Sequence, residues 1–295
     1  MKNLSNDHLA KNLTIVIVLY KESFQLISKT LSTINSFKKI IIDNDNNIDL
    51  ENKIKSEFNI EKYILNKKNN GFSSGYNQGI KMSDTEYTMV LGPDCIINEK
   101  DILILIKRLT ENLDCYIVSP TSFDENHKLS YAGGPLPENA EKDIILDIEG
   151  DTCVDSTLGA CMLFRTKQVL DNNLIFDENF FLYYSDYDLC RRVKKLKKCI
   201  IQVYDSKCIH QHGIIKVKNR YLKKFIREYN LSFDKYYYFY KINNHQNLIN
   251  LHKKKIPSLV LKFFLRILTF NFLGATEIAS RLFAYYKFKF KFLVK

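Results

Sequence analysis

The residues of this chain best suited to chemistry lie in FDENFFLYYSDYDLCRR, Phe176 to Arg192. Two carboxylates, Asp186 and Asp188, follow a dense aromatic run and precede an arginine pair. A carboxylate beside a dry aromatic wall is a general base whose basicity the wall can raise. On a helix, residues two apart point to nearly opposite sides. One of the two then faces a pocket. Asp188 is at helical spacing to pair with Arg191 or Arg192, which leaves Asp186 for the site. The plain alternative makes both ordinary acids of a helix start, held there by the dipole.

Other chemistry-bearing residues fall at the ends of apolar runs. KKIIIDND closes on Asp43 and Asp45, able to accept hydrogen bonds from a nucleobase imide or a ribose, or simply to shape a strand-end turn. EYTMVLGPD ends in Gly92-Pro93-Asp94, a rigid turn carrying a ligand for a hard cation or a plain Pro-Asp turn. NNGFSSGYNQG, from Asn69, reads as a flexible loop entering a helix. Its glycines allow close backbone approach and its helix start favours phosphate, yet its spacing is neither a Walker loop nor GxGxxG. His210 and His212 follow a late strand and offer imidazoles for a metal or a phosphate.

These residues need elements that hold them. LTIVIVLY (from Leu13), KKIIIDND (from Lys38), KYIL, EYTMVL and CYIVSP (Cys115 to Pro120) are short apolar runs of buried-strand type. Ser23 to Ile34 and Asp101 to Asn112 carry apolar residues at helical spacing, the first behind a serine cap. Thr121 to Asp155 reads as irregular. STLGACMLFRTKQVL then enters a helix through a strand, and CIIQVYD (Cys199 to Asp205) adds another strand. Strands alternating with helices predict an α/β fold, a mostly parallel sheet flanked by helices. Ligands bind such sheets off the carboxyl ends of the strands, where Asp43, Asp45 and Asp94 fall.

The 295 residues suit one such domain plus an appendage. Seven scattered cysteines without a Cys-x-x-Cys pair argue against a disulfide framework or zinc site. The polar N-terminus lacks the apolar core of a secretion signal. The net charge of +11 is uneven: from Ile214 onward eighteen Lys and Arg face only Glu228, Asp234 and Glu277, so the rest of the chain is mildly acidic. The boundary predicted is 1–213 for the α/β domain and 214–295 for a helical, basic, amphipathic extension. Within the latter, Ser258, Lys262, Arg266 and Thr269 form a polar stripe on an apolar segment. Two charges in mid-segment oppose a spanning helix and favour one lying in an anionic membrane interface. The alternative packs that helix on the protein's own core.

Together, in this order, the segments resemble the family-two glycosyltransferases, in particular the bacterial rhamnosyltransferase-like branch, from about Leu13 to Gly213. The resemblance implies a GT-A (Rossmann-like) fold and a nucleotide-sugar donor, UDP- or dTDP-linked, for example dTDP-rhamnose. It also implies Mg²⁺ or Mn²⁺ and an inverting transfer to a hydroxyl of a lipid-linked glycan of O-antigen or capsule type. By it, Asp186 is the catalytic base, and Asp43, Asn70, Gly71, Asn77 and Asp94 bind the donor. Gly159, Tyr183, Tyr184 and Asp188 lie on the acceptor side, and Asp94 with His210 holds the metal. Gly92 and Ser185 depart from the family's pattern, standing where Asn or Asp and where Glu are usual. The implied location is the cytoplasmic face of a bacterial plasma membrane, peripheral through 214–295. A basic aromatic tail also fits nucleic acid, but the apolar content of 256–273 makes no nucleic-acid partner the expectation. A non-catalytic scaffold of the same fold is the other rival.

Overall fold

The computed structural model describes residues 10–130, 133–139, 148–211, 219–242 and 245–294, without the side chains of 245–255. His212 and the predicted boundary at Gly213 lie outside the described residues. The chain forms two compact units. One comprises residues 1–178 and 186–214; the other comprises 179–185 and 215–295.

The first unit is built on a nine-stranded mixed sheet. Along the chain come β1 (Leu13–Leu19), α1 (Phe24–Ser32), β2 (Lys38–Asp43), α2 (Ile48–Glu57), β3 (Lys62–Leu65), α3 (Gly71–Met82) and β4 (Tyr87–Leu91). They are followed by β5 (Cys95–Ile97), α4 (Glu99–Glu111), β6 (Cys115–Phe123), β7 (Gly133–Gly134), β8 (Thr152–Cys153) and β9 (Ser156–Thr157). β10 (Cys161–Arg165), α5 (Thr166–Asp171), α6 (Ser185–Lys195) and β11 (Cys199–His210) complete it. The strand order is β3-β2-β1-β4-β10-β6-β11-β5, with β8 on β11; β7 and β9 form a separate ribbon. β1, β2, β3 and β4 run parallel, as do β6 and β11, while β10 runs antiparallel to β4 and β6.

β1 shows why the sheet is covered on both faces. Its β-branched run alternates sides, so Ile15, Ile17 and Leu19 pack with Ile27 and Leu31 of α1, and Val16 packs with Tyr76 and Ile80 of α3. Ser23 caps α1 by accepting the Leu26 N–H at 3.4 Å, and Asn47 caps α2 by accepting that of Leu50 at 3.0 Å.

Several elements differ from the sequence expectations. Most of the Gly/Ser/Asn segment is helix, beginning at Gly71, the one glycine with a left-handed φ (85°) among the described residues. A Cβ on Gly75 would stand 2.8 Å from Val18 Cγ1, and one on Gly79 would stand 2.2 Å from Val16 Cγ1. Those two glycines let α3 press onto β1 rather than let backbone approach a ligand. β6 and β11 run on to Phe123 and His210, because parallel pairing resumes at Lys207↔Thr121 after an irregularity in β11.

The second unit contains α7 (Arg220–Lys241), α8 (His245–Leu268) and α9 (Phe272–Phe292). Rings interlock between α7 and α9: Tyr236 meets Phe288 at 5.5 Å and Tyr237 meets Phe292 at 5.0 Å between centroids. Arg281 bonds the buried Glu228 at 2.8 and 3.0 Å, and Lys224 and Arg281 both reach Glu277 at 2.7 Å.

Candidate active site

The strand ends collect carboxylates. β1 leads to Glu22, β2 ends in Asp43 and β4 leads to Asp94. Asp43 is fully buried and accepts N–H groups of Asp45 (2.7 Å) and Asn47 (3.3 Å) and the Tyr63 hydroxyl (3.0 Å). Burial raises its pKa, and those three bonds pull it back. Glu22 accepts the Tyr20 N–H. Burial first, and then the charges of Asp94 and Asp43, push it up to about 7.

Asp94 sits in a turn held on two sides. Pro93 O accepts the Thr30 hydroxyl at 2.8 Å, and the Gly92 N–H donates to Ala160 O at 2.7 Å. A Cβ on Gly92 would lie 2.9 Å from Asp94 Oδ1, so the missing side chain is room that the carboxylate uses. Antiparallel pairing of β5 with β11 sets His210 opposite Cys95 and brings its Nε2 to 3.4 Å from Asp94 Oδ2. Asp94, Cys95 and His210 offer ligand atoms within 4.8 Å of one another. The Cys95 thiol is fully buried, and that burial drives its pKa well up. The carboxylate of Asp94 and the imidazole of His210 suit a divalent cation such as Mg²⁺ or Mn²⁺.

Asp186 lies in the first turn of α6, half-buried. Oδ2 accepts the Gly159 N–H at 3.1 Å and Oδ1 accepts that of Tyr187 at 2.9 Å. Burial raises its pKa more than these bonds lower it. A Cβ on Gly159 would lie 3.1 Å from both Asp186 Cβ and Phe72 Cζ. Gly159 therefore yields its space to the carboxylate, and its neighbour Ala160 is the residue bonded to Gly92. One short turn thus ties the surroundings of Asp186 to those of Asp94.

Two of the expected site residues are already bonded within the protein. Asn77 is buried, and its amide is committed: Nδ2 donates to Phe176 O (2.8 Å) and Glu178 Oε1 (3.0 Å), and Oδ1 accepts the Phe176 N–H (2.9 Å). It braces the Phe176 segment against α3 rather than meeting a donor. Asp188 is buried and bonds Arg192 Nε at 2.9 Å, while Arg192 also donates to Asn173 O. This is the pairing that helical spacing predicts; it stiffens α6, while Arg191 turns to Glu138 at 2.8 Å. The rings after Asn179 pack within the second unit. Phe180 packs on Tyr237 (4.8 Å) and Tyr184 on Tyr238 (5.5 Å), and Arg227 neighbours the Tyr183 phenol. The ring flanking Gly159 opposite Asp186 is Phe72, which clusters with Tyr76 and Phe176.

Asn70 precedes α3 without a side-chain cap bond, and Gly71 O accepts the Asn44 amide at 3.1 Å. Sequence reasoning passed over Glu22, though the strand-end rule that singled out Asp43 applies to it. It also passed over Asp234, a buried acid of α7.

A sheet covered on both faces, with its carboxylates gathered off the strand ends, is the GT-A architecture. The chain belongs to glycosyl transferase family 2, whose sequence profile matches residues 14–167, just over half of its length. It is 27% identical over 216 residues to the low-salt glycan biosynthesis hexosyltransferase Agl10 of Haloferax volcanii, covering 69% of this chain and 68% of that one. Its fold superposes on GalNAc-T7, solved with UDP, GalNAc and Mn²⁺, with a TM-score of 0.58 at 11% identity, covering 77% of this chain and 51% of that one. It also superposes on S. aureus TarS, with a TM-score of 0.51 at 15% identity, covering 77% and 43%. The chain thus spans about half or less of each of those two structures.

Proposed function

We propose that this chain is an inverting, cation-assisted glycosyltransferase. It moves a sugar from a UDP- or dTDP-sugar, dTDP-rhamnose being one candidate, to a hydroxyl of a lipid-linked glycan at the cytoplasmic face of a bacterial plasma membrane. Asp186 carries this reading: a half-buried carboxylate, raised in pKa, presented at a helix start beside a glycine that clears its space. Asp186 takes the proton of the acceptor hydroxyl as its oxygen attacks the anomeric carbon. The same negative charge stabilises the oxocarbenium character of the transition state. Asp94 and His210 are the residues that would hold Mg²⁺ or Mn²⁺, whose charge, when bound, offsets that of the donor diphosphate. Asp43 recognises the base by exchanging one of its present bonds, while Asn70 and Gly71 at the start of α3 lie on the donor side. The hexosyltransferase relative and the UDP- and Mn²⁺-bound neighbour support this assignment.

The membrane part rests on the second unit. Leu261, Phe264, Leu265, Leu268, Phe270 and Phe272, around the end of α8 and the turn into α9, are all exposed, as are Lys262 and Arg266. Among the described residues no helix is long and apolar enough to cross a membrane. An apolar corner with basic neighbours suits an anionic interface instead. A thermal-shift screen of nucleotide sugars with and without Mn²⁺ tests the donor and metal. One donor should raise Tm in the presence of metal, and Asp94→Ala should abolish that rise. Absence of any metal-dependent shift would remove the assignment. Flotation with anionic liposomes, reduced by Leu265→Glu with Phe270→Glu, tests the interface.

A further inference from the structure

Within the first unit, β2 and β3 run parallel in a register that sets Tyr63 opposite Ile41 and Leu65 opposite Asp43. Side chains two apart share a face of a sheet, so the Tyr63 ring lies on the same face as Asp43, two residues back along the strands. The ring is buried in the core that also holds Ile41 and, from α2, Leu50 and Ile54. Lys55 Nζ lies over it, 5.8 Å from the centroid. The length of the side chain carries its hydroxyl forward to Asp43, where it donates to Oδ2 at 3.0 Å. Burial first, and then the charge of Asp43, push the pKa of the phenol up, so the proton stays on the tyrosine and the bond runs to the carboxylate. Packing alone does not call for that hydroxyl. Phenylalanine would fill the same space, and a buried hydroxyl is costly unless it is bonded. Its partner here is the residue read above as the contact of the donor base.

Asp43 is fully buried, so a base can meet it only by displacing a group that it now holds. Its three bonds are unequal. The Asp45 N–H holds Oδ1 at 2.7 Å and the Tyr63 hydroxyl holds Oδ2 at 3.0 Å, while the Asn47 N–H, also on Oδ2, is the longest at 3.3 Å. The Asn47 bond is therefore the one to exchange, and the other two keep each oxygen in place. We propose that Tyr63 is a specificity-determining residue of the donor site: it holds Asp43 as a fixed hydrogen-bond acceptor, so the site takes nucleobases that present a ring N–H and rejects those that present a ring lone pair. This inference rests on the reading of Asp43 as the base contact. Uracil and thymine carry such an N–H. Cytosine carries a lone pair at the same ring position, which would leave an ionised carboxylate unpaired and repelled. Burial raises the pKa of Asp43 and the charge of Asp45 adds to this, whereas the Tyr63 bond lowers it and so favours the accepting form. Glu22, off the end of β1, is a further acid coupled to Asp43.

Calorimetry with UDP and CDP in the presence of Mn²⁺ tests this on the full chain. The wild-type protein should bind UDP at least about tenfold more tightly than CDP. Tyr63→Phe keeps the ring and should weaken UDP about tenfold while narrowing the UDP-to-CDP ratio to about twofold. Without the phenol, Asp43 protonates more readily and can then donate to cytosine. For the same reason, acid should weaken UDP binding from a higher pH in Tyr63→Phe than in the wild type, with Asp45 and Glu22 present in both. A purely structural role would instead lower Tm and weaken UDP and CDP by one common factor, leaving the ratio and the pH midpoint of the wild type. That result in a folded Tyr63→Phe overturns the inference. So does a wild-type protein that binds CDP as tightly as UDP, a measurement that needs no variant to fold. Asp43→Asn separates the two levels of the argument. It should lose UDP affinity, and an Asp43→Asn protein with normal UDP affinity overturns the base-contact reading itself.

Discussion

The surroundings of Asp186 and the C-terminal helices solve the placing of side chains in opposite ways. Around the carboxylates the chain omits side chains: Gly159 clears space for Asp186 and Gly92 for Asp94. In the helical unit it adds them, and Phe288 alone meets Tyr236, Phe233, Tyr240 and Phe292 at 5.4 to 6.4 Å. A glycine backbone pressed against a side chain leaves a tolerance of tenths of an ångström, which a reacting carboxylate needs. Interlocked rings bury much area but allow small repacking. Adding atoms should therefore harm chemistry in the first region, and removing them should harm stability in the second.

The strongest break of this contrast lies at its centre. Asp186→Asn keeps the shape of the site and removes the base, so the transfer rate should fall by about 10²–10⁴-fold with donor affinity retained. Rate measurements alongside donor calorimetry check this, and a variant within a few-fold of wild type ends the assignment of Asp186. Next comes a matched pair. Phe288→Ala removes a fully buried ring and should cost about 3–5 kcal/mol of unfolding free energy in the helical unit. Gly159→Ala adds a single methyl beside Asp186 and should lower kcat about tenfold with little change in Tm. Denaturant melts and kinetics on both proteins decide it; a Gly159→Ala enzyme with normal kcat would show that the close approach is not needed for chemistry.

The smallest effect concerns pH. Glu22 is raised from 4.5 to about 7 in the folded protein, so the fold binds its proton more tightly than the unfolded chain does. The stability this gives is present below pH 4.5 and is lost as pH rises through 7, amounting to at most about 3 kcal/mol. Asp234 adds a loss of the same sign at lower pH, since its value is about 6. Glu22→Gln cannot ionise and should flatten the upper part of this fall. Unfolding free energies measured between pH 5 and 8 check the slope, and an unchanged slope would show that Glu22 is not what titrates there.

Much of the sheet was legible because a strand covered on both faces must be apolar along its length, as LTIVIVL and KKIIID are. Asp43 and Asp94 stood out because a strand end is where such a run must stop. The segment from Asn69 was harder. Glycine and serine read locally as loop, and only the contact of Gly75 and Gly79 with β1 makes it a helix. Asn77 was assigned to the donor because residue type cannot show whether an amide is already satisfied within the protein, whereas the spacing of Asp188 did point to an arginine partner. Both are satisfied, by Phe176 and Arg192.

By itself, then, the sequence determined the alternation of elements, the polar residues at the strand ends, the family and the uneven charge. These follow from local rules that neighbouring residues obey. Only the tertiary structure decided that His210 meets Asp94, that Gly159 packs against Asp186, and that Asp234 bonds the backbone of Phe181 to Tyr183. Each of those depends on strand register or on contacts between residues dozens to more than a hundred positions apart, and no local pattern encodes such distances.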